Sequence, residues 1–534
     1  IYTIGFNASS ALVNLSQIPL FVAPFLGGKH GYVKTYAAIK SAYGNTLLGG
    51  KRGGGTNSIL DFYDISDKGN FTLKKGLKLP EGKDVELRNM EALVQTASQR
   101  GLLGQGFLAE AMGLNEASRI KKSGTVGNAM DNASVLSAWL FNHAEQLNRQ
   151  VTLMASFNLA LDSITKGKVN NPSAAQIEEA VQMAIYDTQQ TNGGTFLETA
   201  PSIAREGIGR VAFMYKSYGL QMYYTMLKTA KTAFDSDKGK LFGPDGSPER
   251  KAAWKQLIGL HGSALFFAGV QGLPLYGAVK LIANLFFLDD EEEDWDTIVR
   301  QHIGEGWYKG AITQFAGIDV ASRMALTGLL IQENRFNNDP SLEETIGFYA
   351  GGPALSVANR LYRGGSDLLS SEGDIERGIE NILPAGVANA YKATFGRYAD
   401  QGGIYTRRND PIYDDMTGGE LVAQAFGFPP TEYTFRQEQN GISKRIDIAV
   451  GKRRSALHKK LYVAQTMGDF SAEMEIYDEI DKFNARHPEA EINTKSIERS
   501  LKQHAKTSAE MYNGVTLSPL YRDALEMIRE GYKQ

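Results

Sequence analysis

An apolar stretch near the middle of the chain constrains its fold more than any other feature. From Trp254 to Asp294 the sequence reads WKQLIGLHGSALFFAGVQGLPLYGAVKLIANLFFLDDEEED. Between Leu257 and Leu288, Lys280 is the only charged side chain and Pro274 is the only proline. A segment of this composition is either the buried helical hairpin of a soluble protein or a segment that meets lipid.

The length of each half of this stretch separates the two interpretations. A helix that crosses the hydrocarbon core needs about 20 apolar residues, and each half beside Pro274 is shorter. The glycines at 259, 262, 269, 272 and 277 suit close helix pairing. We therefore expect a buried hairpin broken at Pro274, with lipid contact as the alternative. The side chains that would carry either role are Leu257, Leu265, Phe266, Phe267, Pro274, Leu285, Phe286 and Phe287.

Composition excludes several classes of function. The 534 residues carry a net charge of -3, so no basic excess favours nonspecific nucleic-acid binding through a surface-wide positive field. The absence of cysteine excludes disulfides, thiolate metal sites and cysteine nucleophiles. The 57 glycines fall mostly in short clusters between helical runs, which predicts helices joined by glycine turns.

Apolar periodicity predicts an all-α protein, an elongated multi-helical assembly with little or no β-sheet. Leu87, Met90, Val94 and Ala97 recur at three- and four-residue spacing. Ser173 begins a helix with a Ser-x-x-Gln capping box. We divide the chain into N-terminal apolar helices with a flexible glycine-rich loop (1–83), a helical domain (84–250), the apolar hairpin with a helical core region (251–440) and a polar helical region (441–534).

The N-terminal region is apolar from Ser9 to Phe25, and Pro19 and Pro24 predict short helices at a packing surface instead of one long helix. The chain starts without methionine, a basic segment or a small-residue cleavage site, so we expect no signal peptide and interpret the start as the middle of a longer polypeptide. The loop Thr46–Ser58 fails the phosphate-loop pattern because Arg52 stands where Ser or Thr is needed, and we predict a flexible loop.

One helical region is dense in methionine and aromatic residues. Such stripes are usually helix-packing core or subunit interface, and rarely cofactor sites. We interpret this one as a candidate oligomer interface formed by Phe213, Met214, Tyr218, Met222 and Tyr223.

A local basic patch lies in the C-terminal region, at Lys452, Arg453, Arg454, Lys459 and Lys460. We expect a solvated helix face. Contact with phosphate or an anionic lipid is the alternative.

Motifs that carry catalysis are missing from the sequence. The seven histidines are scattered without a His-x-x-x-His pair for zinc, and no Gly-x-Ser-x-Gly nucleophile elbow occurs. Glu145 and Arg149 form an i,i+4 pair that we interpret as a helix-surface ion pair. We therefore predict no catalytic residue, no cofactor and no metal site in this stretch of polypeptide.

A resemblance to a known family appears in the second half of the chain. Val357-Ala358-Asn359-Arg360 precedes a long region, Glu372–Asn440, with Leu383-Pro384-Ala385-Gly386, Gly402-Gly403 and Phe426-Gly427-Phe428. This series resembles the internal virion proteins, or ejection proteins, of short-tailed bacteriophages. It is also similar to a large polyvalent-protein-associated domain of phage and mobile-element proteins. The resemblance covers most of the chain apart from Gly44–Pro80.

The resemblance implies a non-enzymatic protein packaged in the capsid near the portal, then ejected to form or line a DNA-translocation conduit across the host envelope. Its expected partners are further copies of itself, other internal virion proteins, the portal, the genomic DNA that passes through, and the host inner membrane. Its expected locations are the virion interior and then the periplasm and inner membrane. Two alternatives stay open. One is a scaffold region of a larger virion-delivered peptidoglycan hydrolase or polymerase, and the other is an adaptor domain of a mobile-element polyprotein.

Overall fold

A computed structural model describes residues 7–52, 58–66, 70–103, 125–192, 217–235, 247–286, 295–326, 357–370, 374–406, 410–512 and 515–516. Within these ranges, the side chains of 47–52, 125–138, 217–218, 281, 284–286, 508–512 and 515–516 lie outside the description. The chain forms two compact units. The first comprises Ile1–Ile282, Val299–Phe336 and Pro340–Gln437, and the second Ala283–Ile298, Asn337–Asp339 and Glu438–Gln534.

The helices up to residue 286 are α1 (Ala8–Leu15), α2 (Ala23–His30), α3 (Tyr32–Arg52), α4 (Lys83–Asn89), α5 (Glu91–Gln99), α6 (Thr125–Thr165), α7 (Ala174–Thr191), α8 (Ser217–Phe234), α9 (Pro248–Ala268) and α10 (Tyr276–Phe286). Those that follow are α11 (Trp295–Ile303), α12 (Glu305–Lys309), α13 (Ala311–Ala316), α14 (Ala321–Met324), α15 (Ile375–Ile382), α16 (Ala385–Thr394), α17 (Arg397–Gln401), α18 (Gly418–Ala425), α19 (Thr431–Met467), α20 (Phe470–Arg486) and α21 (Thr494–Glu510). Residues 357–369 are helical as well.

The predicted all-α class is confirmed, because helices dominate the described ranges and strands occur there as three short antiparallel hairpins. These hairpins pair β1 (Tyr63–Ile65) with β2 (Phe71–Leu73), β3 (Ile404–Tyr405) with β4 (Pro411–Tyr413), and β5 (Met511–Tyr512) with β6 (Val515–Thr516).

The N-terminal apolar region forms one helical path, Ala8–His30, through α1, a π turn at Ile18–Val22 and α2. The prediction of short helices at Pro19 and Pro24 is confirmed in part: α1 and α2 have eight residues each, but the π turn joins them without a break. Each proline lies in the first two positions of a new segment, where its missing N–H removes no hydrogen bond of that segment. The π turn between them absorbs the local misfit.

Among the described residues, Ala8–His30 is also the one helical segment that is long and apolar enough to cross a membrane, with a mean hydropathy of 1.4. In the folded chain, 72% of its apolar window is buried. A core helix of a soluble protein has the same composition. The segment lies between two apolar clusters, because Val22 and Leu26 belong to one and Phe21 belongs to the other.

The larger cluster brings together α2 to α7. The predicted stripe of Leu87, Met90, Val94 and Ala97 is fully buried there. The predicted capping box also forms, since the Ser173 hydroxyl accepts from the backbone of Gln176 and the Gln176 side chain accepts from the backbone of Ser173. These features depend on neighbouring residues, which is why the sequence predicts them.

The Glu145–Arg149 pair exists, but it is not on the surface as predicted. The Arg149 guanidinium lies 2.5 Å from the Glu145 carboxylate, and both residues are buried. The cause is the packing of α1 on α6, where Asn148 donates a hydrogen bond to the Asn14 carbonyl oxygen at 2.5 Å. A neighbouring helix therefore covers a pair that would be exposed on an isolated helix.

The second unit contains a small helical core of its own between α19, α20 and α21. Leu457 and Leu461 of α19 meet Ile480 and Phe483 of α20. The Asn484 side chain then holds the turn before α21: its Oδ1 accepts from the backbone N–H of Ile492 at 2.7 Å and its Nδ2 donates to the Ile492 carbonyl at 3.1 Å. This clamp satisfies backbone groups that the turn leaves unpaired.

Candidate interface surfaces on the apolar helices

The break predicted at Pro274 is present, but the two helices beside it do not form the expected hairpin, because in the described residues α9 packs on α2 and α8 and makes at most marginal contact with α10. Helix α9 ends at Ala268, a 3₁₀ turn spans Val270–Gly272, and α10 begins at Tyr276. Leu275, directly after the proline, has a positive φ of 65°. Its backbone N–H donates to the Tyr223 hydroxyl at 3.3 Å, so a residue of α8 supports this strained turn.

The inner face of α9 crosses α2 at very short range. Gln256 donates from Nε2 to the Phe25 carbonyl oxygen at 2.8 Å, and the Tyr32 hydroxyl donates to the Lys255 carbonyl oxygen at 2.6 Å. A β-carbon at Gly28 would lie 2.7 Å from the Ala252 carbonyl oxygen, which is inside contact distance. The crossing therefore requires a glycine at position 28.

The hairpin glycines fulfil their predicted role unevenly. Gly259 lies against the Tyr32 ring, and a β-carbon at Gly269 would lie 2.5 Å from the Gly310 nitrogen. Gly262, in contrast, faces open space. Another part of the chain thus approaches closely at Gly259 and Gly269 and not at Gly262, and in neither case is that part the other half of the predicted hairpin.

Helix α9 is buried on one face and exposed on the other. Leu257, Leu260, Ala264 and Ala268 lie on the buried face of α9. The predicted residues divide accordingly: Leu257 is buried, Leu265, Phe267 and Pro274 are half-buried, and Phe266 is exposed. The side chains of Leu285 and Phe286, and all of Phe287, lie outside the described residues. Further exposed apolar side chains are Ile258 of α9 and Leu275, Val279 and Ile282 at the start of α10.

Met222 and Tyr223 of the predicted oligomer interface are used inside the chain instead. They are 4% and 7% exposed and join Met226, Leu257 and Leu260 in the second apolar cluster. Because their own fold covers them, they cannot form a contact between subunits. Phe213, Met214 and the side chain of Tyr218 lie outside the described residues.

The opposite face of α8 is exposed, and the sequence analysis missed it. This outer face carries four large apolar side chains, Leu220, Tyr224, Leu227 and Phe234, together with Lys228 and Lys231. The signal was present in the spacing, since these positions recur on one side of a helix while Met222, Met226 and Ala233 occupy the other. The prediction followed the stripe that contains the methionines and so did not include the stripe on the outer face.

The predicted basic patch on α19 is split between different sides of the helix. Arg454 donates to the Glu491 carbonyl oxygen at 3.2 Å, and Lys460 pairs with Glu479 at 3.0 Å. Lys452 and Lys459 are exposed, and Arg453 is half-buried. Two of the five cations thus support the fold of their own unit, an arrangement that fits a solvated helix face better than a dedicated phosphate site.

A charged cluster lies at the C-terminal end of α2. Lys29 pairs at 2.5 Å with Asp187 of α7, whose other oxygen accepts a hydrogen bond from Ser156 at 2.7 Å. The Lys29 ammonium also lies 4.3 Å from the centre of the Phe25 ring. Burial lowers the pKa of the adjacent His30 below its ordinary value, although Asp187 opposes this. No sequence spacing relates residues 158 positions apart, so this cluster could not be predicted.

A second buried ion cluster ties α15, α16 and α17 together. Glu380 is 3% exposed and accepts two hydrogen bonds from Arg397, at 3.1 and 2.5 Å, while the Lys392 ammonium lies 3.6 Å away. Burial lowers the pKa of Lys392, and the Glu380 carboxylate opposes it. The opposite charges lie within ion-pair distance, so this cluster positions helices.

The exposed apolar faces of α8 and α9 are suited to contact with other molecules or with other helices. In the described part of the chain, no group of three or more His, Asp or Glu side chains is placed to hold a metal ion. The apolar cavity between Phe21, Met226 and Leu260 measures about 20 Å³, room for one water molecule. No protein-family model matches the chain, and neither curated proteins nor solved structures give a match.

Proposed function

We propose that the chain is a non-enzymatic internal virion protein of a short-tailed bacteriophage. It is packaged near the portal and ejected into the host, where it forms or lines a conduit for DNA across the envelope. The resemblance of Glu372–Asn440 and its flanking segments to ejection proteins motivates the proposal. The all-α fold agrees with it, because the resemblance implies a large helical protein.

One structural observation carries the proposal furthest: Ala8–His30, the one described segment that is long and apolar enough to cross a membrane, is mostly covered in the folded chain. It packs against α9 through the crossing of Gly28 and Gln256. With 23 residues at about 1.5 Å each, the N-terminal segment is roughly 34 Å long, which matches a hydrocarbon core of about 30 Å. A protein that is stored folded and later meets an envelope needs membrane-capable helices that are covered during storage.

The small net charge suits the proposed conduit. Lysine and arginine contacts to phosphates dominate nonspecific affinity for DNA, and a strongly basic passage would retain the genome. A net charge of -3 over 534 residues avoids this. In the proposed assembly, copies of the chain form a cyclic oligomer that contacts the portal, the other internal virion proteins and, after ejection, the host inner membrane.

Quantitative mass spectrometry of purified phage particles tests the proposal. Particles are treated with protease on the outside and analysed before and after release of their DNA, with the major capsid protein as the control. The chain is expected in intact particles, protected from protease, and depleted after release while the capsid protein is retained. Absence from particles, or full retention after release, would contradict the proposal.

An activity assay separates the enzymatic alternative. The purified chain is incubated with peptidoglycan and with nucleic acid, and the products are quantified. No turnover is expected. Robust turnover of either substrate would replace the structural proposal with a virion-delivered enzyme.

A further inference from the structure

The outer face of α8 is an uncovered amphipathic surface. Its four apolar side chains, Leu220, Tyr224, Leu227 and Phe234, are 36%, 60%, 58% and 66% exposed. They recur at intervals of four, three and seven residues, so they lie along one side of the helix. The stripe extends over 15 residues, whose 14 steps of about 1.5 Å give a length of about 21 Å.

The charge on this helix has one sign. Residues 217–234 contain Lys228 and Lys231 and no aspartate or glutamate. Both lysines are exposed on the same side as the apolar stripe. Lys228 donates a hydrogen bond to the Tyr186 hydroxyl of α7 at 3.0 Å, and this contact raises the pKa of Lys228 above its ordinary value. Lys228 is therefore a permanent cation at physiological pH.

The inner face of α8 fixes the helix in this orientation. Met222, Tyr223 and Met226 are packed in the second apolar cluster. At the C-terminal end, the Ala233 carbonyl oxygen accepts hydrogen bonds from Trp254 Nε1 at 3.0 Å and from Arg250 Nε at 3.3 Å. Rotating the apolar stripe inward would break these contacts, so the part of the fold that the structure describes keeps the stripe on the outer side of α8.

The combination of apolar side chains and lysines on the outer face of α8 fits some binding partners better than others. A second copy related by a two-fold axis would meet α8 through the same patch, which would bring the lysines of one copy close to those of the other without an acidic residue of α8 between them. Duplex DNA would satisfy the two lysines and leave the apolar stripe in water. An anionic bilayer accepts both kinds of group. Apolar and aromatic side chains enter the boundary between headgroups and acyl chains, and lysines extend to the phosphates.

We propose that the outer face of α8 docks on an anionic phospholipid bilayer, with the helix axis parallel to the membrane plane. The proposal rests on the proposed function for the source of that bilayer, the host envelope, and names the surface that meets it. A bilayer contact along 21 Å of helix is interfacial and does not require α8 to span the hydrocarbon core.

Vesicle flotation of the 534-residue chain tests the proposal. The probes are vesicles of phosphatidylcholine alone and of phosphatidylcholine with phosphatidylglycerol at a ratio of about 3:1, a composition chosen to give a negative surface potential. The test variant is Lys228→Gln/Lys231→Gln. The matched control is Lys452→Gln/Lys459→Gln, which removes two exposed lysines from α19. Circular dichroism checks that all proteins stay folded.

The unmodified chain is expected to float with the anionic vesicles and to float much less with the neutral ones. The α8 variant should partition about 30-fold more weakly, because each lysine near an anionic surface contributes about 1 kcal/mol and 1.4 kcal/mol is tenfold. The α19 control should bind like the unmodified chain. A second variant, Leu227→Ser/Phe234→Ser, should also weaken flotation because it removes the groups that enter the bilayer.

Three outcomes would overturn the proposal. They are equal flotation with both vesicle types, an α8 variant that binds like the unmodified chain, and equal losses in the α8 and α19 variants. Loss of duplex-DNA binding in the α8 variant, with vesicle binding retained, would assign the face to nucleic acid instead. If the chain does not float with vesicles, the proposed virion function still stands. If the chain is absent from particles, the flotation result still stands. The two failures are therefore distinguishable.

Discussion

Gly28 of α2 lies directly against Gln256 of α9, and the Gln256 side chain donates a hydrogen bond to the Phe25 carbonyl oxygen at 2.8 Å. This contact joins the apolar segment Ala8–His30 to α9. At this point the backbone of a glycine meets the side chain of Gln256. Stability at this point therefore depends on the size of one residue.

Replacing Gly28 by alanine tests that dependence. A β-carbon there would lie 2.7 Å from the Ala252 carbonyl oxygen, so we expect Gly28→Ala to lower the free energy of unfolding by about 2 kcal/mol. The matched control is Gly44→Ala in α3, where no atom lies within 4 Å of the added carbon and alanine should stabilise by up to about 1 kcal/mol. Urea denaturation measures both. Equal effects of the two substitutions would show that the crossing is not tight.

The ion pair between Lys29 and Asp187 gives a second prediction. Asp187 is 1% exposed, and Asp187→Asn would leave the Lys29 ammonium, 28% exposed, without its charge partner. We expect Asp187→Asn to lower the free energy of unfolding by about 2 kcal/mol. This is less than the cost of breaking a fully buried pair, because water reaches Lys29. Asp162→Asn, which breaks an exposed pair with Lys34, should cost less than about 0.5 kcal/mol. Thermal denaturation measures both variants. If both lose the same small amount of stability, the pair between Lys29 and Asp187 stabilises the fold no more than an exposed pair does.

Glu86 predicts a pH dependence of stability. Burial alone would raise the pKa of Glu86, but hydrogen bonds from Lys83, Asn158 and Asn45 outweigh it and hold the pKa below the ordinary 4.5. A carboxyl whose pKa is lower in the folded than in the unfolded state contributes stability that is fully present above pH 4.5. That stability is lost as the pH falls from 4.5 through the folded-state pKa.

Glu86→Gln should therefore be less stable than the unmodified protein at neutral pH, and the difference should shrink below pH 4.5. Free energies of unfolding measured at several pH values give the comparison, with Glu81→Gln, an exposed carboxyl, as the control that keeps the original profile. A difference between Glu86→Gln and the unmodified protein that stays constant down to acid pH would contradict the assignment.

Asn484 provides a prediction confined to the second unit. Asn484→Ala removes both hydrogen bonds to the Ile492 backbone, and the unpaired groups should cost about 2 kcal/mol. Amide hydrogen exchange should accelerate across α20 and α21, while Gln503→Ala, an exposed position on α21, leaves exchange unchanged. Unchanged protection of Ile492 in Asn484→Ala would show that the clamp is dispensable.

The fold was predictable where neighbouring residues decide it. The buried stripe beginning at Leu87, the capping box at Ser173 and the break at Pro274 each depend on a few consecutive positions. Pro19 and Pro24 do mark the ends of short helices, but a π turn joins these helices into one path and removes the conflict that a regular α-helix would have. Proline spacing alone does not reveal that the path continues.

The candidate surfaces were less predictable because burial depends on distant partners. Met222 and Tyr223 belong to a recognisable stripe, but only the packing of α8 on α9 shows that this stripe is internal and that Tyr224 and Leu227 are outside. Lys29 and Asp187 carry no sequence signal at all, since their contact requires α2 and α7 to meet first. Side-chain pairs of long sequence separation are specified by the fold and not by local pattern.

We propose that this chain is a packaged, ejected component of a DNA conduit, and the symmetry of its assembly tests that function most directly. Electron cryo-microscopy of DNA-filled particles, reconstructed about the portal axis with the chain carrying a site-specific label, would measure it. We expect labelled density in a cyclic ring coaxial with the portal inside the capsid. Label distributed over the capsid shell, or missing from the particle, would contradict the proposed function.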